Sequence, residues 1–152
     1  MDFIENGLLI KYSAPLKATA AYFILYYIFL YLESGVAFYL FHIAKSNVVK
    51  DNAKVKVSFT KIKYDNADNK LWLVAKRSVG NTMEQAFPFL TAMWLHAFFV
   101  SPQSAAAVAW VYIATRSYYP IVFYFGLPWI LFSTLPGYAC IFYLFYRLFN
   151  PF

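Results

Sequence analysis

The feature that most constrains this chain is a run of apolar residues over 19–44, interrupted only by Glu33 and His42. Crossing ~30 Å of hydrocarbon at 1.5 Å per residue takes about 20 helical residues, so this run is long enough to span a bilayer. Three further stretches meet the same ruler: 80–100, entered through a polar helical approach near Leu71, then 105–124 and 128–149. Composition agrees. The chain is 62% apolar and 13% charged, with 14 Tyr and 17 Phe in 152 residues. Soluble domains run near ~50% apolar and ~25% charged. A core this small cannot hide so many rings, because a chain of ~150 residues still exposes roughly 30% of its unfolded surface. The sequence therefore predicts an all-α, integral membrane four-helix bundle, up-down and left-handed, as one domain over 1–152.

Punctuation sets the connections. Ser101-Pro102-Gln103-Ser104 reads as a tight polar turn, since Pro102 cannot continue a helix. Gly126-Leu127-Pro128 marks the next, with Pro128 suited to a first helical position and a bend expected at Pro136-Gly137. The remaining connection, 45–70, reads as an extended basic loop. Of the 13 Lys and Arg, nine lie between Lys45 and Arg77. Confined between apolar runs, they read as a positive-inside signal that also touches anionic headgroups, not as a nucleic-acid surface. This places the loop on the cytosol-like side and both termini opposite. Within the loop, 54–60 alternates polar and apolar residues and reads as a short strand. Asp65 to Asn69 supplies N-cap candidates for the helix near Leu71. The acidic start, Met1-Asp2-Phe3-Ile4-Glu5, lacks the positive region of a signal peptide and is expected to be retained. One cysteine, Cys140, leaves no disulfide framework within the chain, and no metal cluster is expected.

The informative residues are the few charges inside apolar spans, where each costs ~2.5–3.5 kcal/mol on insertion scales and needs a partner or a wet site. Glu33, Glu84 and Arg116 are these, with Arg77 at the boundary. At 1.5 Å per residue Glu33 lies about 15 Å in from residue 44, Arg116 about 12 Å in from 124, and Glu84 about 24 Å from 100. All three fall in the half of the bilayer on the basic-loop side. Arg77, Asn81 and Glu84 stand at i, i+4 and i+7 and share one helical face, as do Tyr112, Arg116 and Tyr119. A guanidinium, an amide and a carboxylate in such a stripe suit a zwitterion. The same residues equally suit an intramembrane network holding the bundle, including a Glu33–Arg116 pair. His96 beside Trp94 reads as a hydrogen-bonded interhelical residue, and the alanines after Ser104 as a close-packing surface.

Arg77-Ser78-Val79-Gly80-Asn81-Thr82-Met83-Glu84, with Phe87-Pro88-Phe89-Leu90 after it and Arg116-x-x-Tyr119 in the third span, resembles the MAPEG family. These are the four-span membrane proteins of eicosanoid and glutathione metabolism, and the resemblance covers roughly 71–124. It implies a homotrimer, or a subunit of a membrane complex, in the endoplasmic reticulum or another organelle membrane. It also implies glutathione bound between neighbouring subunits in the cytosolic half. Carried over, Arg77, Asn81, Glu84 and Tyr119 would contact glutathione. Arg116 would be a structural or pocket-floor arginine and Lys45 would lie near the pocket mouth; Glu33 by depth and Tyr112 by helical spacing are further pocket or structural candidates. The chain departs from the pattern where catalysis would be expected. Conjugating members carry an arginine early in the fourth span that favours the thiolate, as a nearby cation does. Here Ile130 to Phe132 stand there, and neither Arg nor Lys occurs between Arg116 and Arg147. Two functions follow. One is a glutathione-dependent transferase or peroxidase acting on a lipophilic electrophile, with thiolate formation left to Arg116, Tyr119 or Ser133. The other is a non-catalytic, ligand-binding or accessory member, of which the lipoxygenase-activating protein is the family's example.

Overall fold

The computed structural model describes residues 2–50, 57–65 and 68–150, and six helices run through them. They are α1 (Asp2–Lys50), α2 (Phe59–Asp65), α3 (Lys70–Phe99), α4 (Pro102–Ser117), α5 (Tyr119–Phe125) and α6 (Leu131–Phe149). No strand occurs among the described residues. The four expected spans correspond in chain order to α1, α3, α4 with α5, and α6. By length and composition only α1, over Gly7–Val48, is long and apolar enough to cross a membrane among the described residues.

Helix ends follow local chemistry. Asn69 caps α3, its Oδ1 accepting from the Trp72 amide at 3.1 Å. Ser101 caps α4 with its hydroxyl facing the Ser104 amide at 3.4 Å, and Pro102 sits in the first turn where no donor is needed. The third span is broken at Tyr118 because Pro120 offers no N–H to the Arg116 carbonyl, so a new helix begins at Tyr119. Pro128 does not open α6 as expected. It follows a cis peptide bond, and the helix begins at Leu131.

The basic connection is not an extended loop. Helix α1 runs through 45–50, and Phe59 to Asp65 form α2. The strand expected over 54–60 therefore fails at its described end, while 51–56 lie outside the described residues. Packing decides this. Phe59 and Ile62, one helical turn apart, pack on Val36, Ala37, Leu40 and Trp72, with the Phe59 ring 5.0 Å from that of Phe38.

Helices α3 and α4 form the centre, packed against each other and each against both α1 and α6, while the backbones of α1 and α6 do not approach each other among the described residues. Ala18, Ala92, Ala105 and Ala109 are fully buried and let the backbones approach. Phe89 stacks on Tyr112 at 3.8 Å between ring centres, and Tyr22 closes the cluster with its hydroxyl donating to the Thr82 carbonyl. At the other end, His96 Nε2 lies 2.8 Å from Ser104 Oγ and Nδ1 3.3 Å from the Leu144 carbonyl. This imidazole joins α3, α4 and α6, the interhelical role expected of it.

Candidate functional site

The Arg77, Asn81 and Glu84 stripe divides on folding. At 3.6 residues per turn Asn81 stands about 40° round the helix from Arg77 and about 60° from Glu84. That rotation carries its amide to the seam with α4 and α6, where Oδ1 accepts from Arg116 Nη1 at 2.8 Å. Arg77 and Glu84 stay exposed on the outer face of α3. They line a cavity of about 320 Å³ with Gly80, Lys76, Trp72 and Tyr64, the last supplied by α2. The volume falls within the ~300–1,000 Å³ of small-molecule sites. Neither Arg77 nor Glu84 makes an ion pair or hydrogen bond among the described residues. The short helix α2 that the sequence had concealed thus becomes one wall of the cavity.

Tyr119 lies buried at the α4–α5 break, within electrostatic reach of Arg116, Arg77, Glu84 and Tyr138. Its phenol forms no hydrogen bond among the described residues. Four residues singled out from the sequence, Arg77, Glu84, Tyr119 and Arg116, are therefore brought into one electrostatic neighbourhood, with Asn81 joined to it through Arg116. Glu33 and Lys45 are not brought in by any contact. Glu33 is half-buried on α1 and Lys45 is exposed near its C-terminal end, and neither pairs with a charge among the described residues. The Glu33–Arg116 pair does not form. Arg116 turns towards Asn81 of α3 and Gly137 of α6.

Arg116 is the most confined charge, 1% exposed. Its Nη1 donates to Asn81, while Nε and Nη2 make no hydrogen bond of full geometry among the described residues. The guanidinium carbon stands 5.2 Å from the Tyr112 ring centre and 5.8 Å from that of Tyr138. The Tyr112 hydroxyl lies beside it, its oxygen turned to interact with the guanidinium, although no hydrogen bond of full geometry joins them among the described residues. Gly137 of α6 makes this possible, because a Cβ there would meet Nη2 at 2.8 Å. Around this group α6 is tied down by two bonds. Ser133 Oγ donates to the Thr115 carbonyl at 2.6 Å. The Tyr118 hydroxyl donates at 2.9 Å to the Phe132 carbonyl, the acceptor that Pro136 leaves unused. Gln85 Nε2 donates to the Tyr138 hydroxyl at 3.2 Å and bridges α3 to α6 outside the arginine. Tyr138, Gln85 and the role of Gly137 were missed in the sequence. A glycine inside an apolar span is the signal that marked close approach there.

On the opposite face of α3, Leu71, Val74 and Ala75 line an apolar groove of about 330 Å³ with Leu32, Ile121 and Tyr124. No group of three or more potential metal ligands occurs among the described residues.

The chain matches the MAPEG family over residues 18–150. The chain belongs to the MAPEG family. This membership makes it a membrane protein of the glutathione and eicosanoid group, whose members are generally embedded and oligomeric. No curated protein and no solved structure matches it.

Proposed function

We propose that this MAPEG protein crosses the membrane through α1, α3, α4 with α5, and α6, and binds glutathione on the outer face of α3 in the bilayer half nearer α2. Arg77 takes a carboxylate, Glu84 accepts from the ammonium, and Tyr119 offers its hydroxyl from the side; Asn81 contributes indirectly, by holding Arg116. The observation that carries this reading is the state of Arg77 and Glu84: opposite charges, both exposed, neither paired among the described residues, lining one cavity. Bare charges at this depth are costly facing lipid. A second copy of the chain laid over this face would exclude lipid and close the cavity, which fits a homotrimer with ligand between neighbours. Exposed rings and branched side chains along α1, among them Phe23, Ile24, Tyr27 and Tyr31, suit lipid contact.

The bound thiol would be held without strong activation. Among the described residues no cation of α6 lines the α3 cavity, and those that do are Lys76 and Arg77 beside Glu84. The apolar groove stands across α3 from that cavity, so a lipophilic molecule lying in it would not meet the thiol within one subunit. A binding or accessory role follows, with conjugation as the competing reading. Calorimetric titration of the purified protein with glutathione, alongside conjugation of an aryl halide, tests both. Binding without turnover is expected, with affinity lowered at least about tenfold in Arg77→Ala, the worth of one charge-assisted contact. Unchanged affinity in that variant would remove the proposed site, and turnover sensitive to Arg77 would establish the transferase.

A further inference from the structure

The residues lining the α3 cavity are ordered along the helix as well as gathered round one space. Trp72, Lys76, Gly80 and Glu84 recur every four residues and form one row on α3, with Leu73 and Arg77 beside it. Helix α2 packs on Trp72, so Tyr64 belongs to that end of the row. Two cations, Lys76 and Arg77, adjoin near this end, and the carboxylate of Glu84 stands at the other. Between them lies Gly80, where a Cβ would meet nothing within 4 Å, so the middle of the row is open. At 1.5 Å per residue Glu84 is about 10 Å along the axis from Arg77 and about 12 Å from Lys76. No ion pair closes that distance among the described residues.

A ligand that satisfies both ends must carry an ammonium and a carboxylate comparably far apart. A free amino acid holds the two on one carbon and serves one end of the row at a time. Three residues of extended peptide reach about 10–11 Å, and the γ-linkage of glutathione only lengthens that reach. In glutathione the ammonium adjoins one carboxylate, on the γ-glutamyl residue, and is remote from the other, on the glycine. The glycine carboxylate is therefore the one that can meet the cations while the ammonium lies on Glu84. The γ-glutamyl carboxylate then falls near Tyr119, which is within electrostatic reach of Glu84 and whose hydroxyl makes no hydrogen bond among the described residues. The charge count agrees: two cations and one carboxylate in the lining complement two carboxylates and one ammonium in the ligand.

Resting on the reading that this cavity takes glutathione, we infer that the tripeptide lies lengthwise along the row. Its glycine carboxylate is on Lys76 and Arg77 at the Tyr64 end, its ammonium on Glu84, and its cysteinyl residue over Gly80. Lys76, which is not among the signature residues, thereby sets specificity for the glycine end, and the row selects for length as well as charge.

The test is a cycle of ligands against variants, read by calorimetric titration of the purified protein. Glutathione, its glycine monoethyl ester and glutathione acetylated at the γ-glutamyl amine are compared on wild type, Lys76→Gln and Glu84→Gln. Both positions are exposed, so the variants should fold. Wild type should bind glutathione about tenfold more tightly than either derivative. Lys76→Gln should lower glutathione affinity several-fold and leave the ester's unchanged. Glu84→Gln should weaken glutathione and the ester alike and spare the acetylated form. If Lys76→Gln weakens acid and ester equally, or changes neither, the lengthwise arrangement is overturned; glutathione binding that still depends on Arg77 would then leave the proposed function standing. Absence of any glutathione binding to wild type removes both.

Discussion

Two arginines, Arg77 on the outer face of α3 and Arg116 between α3, α4 and α6, have opposite surroundings. Arg77 is exposed beside an exposed carboxylate and is bonded to nothing among the described residues. Arg116 is enclosed, fixed by Asn81 and set against a glycine. The first is placed to meet a molecule from outside the subunit. The second is built into the packing. A charge inside a membrane protein therefore does not report one role. Its neighbours decide whether removing it costs stability or binding.

That contrast can be broken by substitution, with stability read as the unfolding midpoint in detergent. The largest effect is expected from Asn81→Ala, which strips Arg116 of its one hydrogen-bond acceptor. A hydrogen bond to a charged group is worth ~1.5–3 kcal/mol, and the loss should fall in that range. Gly137→Ala comes next, destabilising by ~1–3 kcal/mol through overpacking against the guanidinium, whose Nη2 would lie 2.8 Å from the new methyl. Its counterpart is Gly80→Ala on the outer face, where a Cβ meets nothing within 4 Å. There the lower helix propensity of glycine predicts a gain of ~0.5–1 kcal/mol. If the two alanine variants behave alike, the seam is looser than described.

Smaller differences sharpen the inner region. Tyr22→Phe removes a buried donor that serves the Thr82 carbonyl and should cost about 1 kcal/mol. Tyr112→Phe removes a hydroxyl that makes no hydrogen bond of full geometry among the described residues and should leave the protein within ~0.5 kcal/mol of wild type. The smallest stability change is expected outside. Arg77→Ala should shift stability by no more than ~0.5 kcal/mol while weakening glutathione binding at least about tenfold.

The all-helical character was readable from the apolar runs, and the α3 cap from the Asp and Asn residues before Leu71. Members of the candidate site could be named as well, because charged residues are scarce enough that Arg77, Glu84 and Arg116 stand out. What escaped has physical causes. Lys45 and Ser46 break hydropathy but not helix propensity, so α1 continues through them. Alternation over 54–60 suggested a strand, yet Phe59 and Ile62 gain more by packing as one helical face. Helix spacing placed Asn81 with Arg77 and Glu84, but tens of degrees of rotation are enough to send a side chain into a different interface. Pro120 carried the break at Tyr118 in plain view, although the run around it is apolar enough to read as one span.

The most direct test is a cryo-electron-microscopy map of the purified protein with glutathione. It should show a second copy covering the outer face of α3 and ligand density between Arg77 and Glu84, with Arg116 still held by Asn81. A monomer with that face bare, or ligand density away from Arg77, would contradict it.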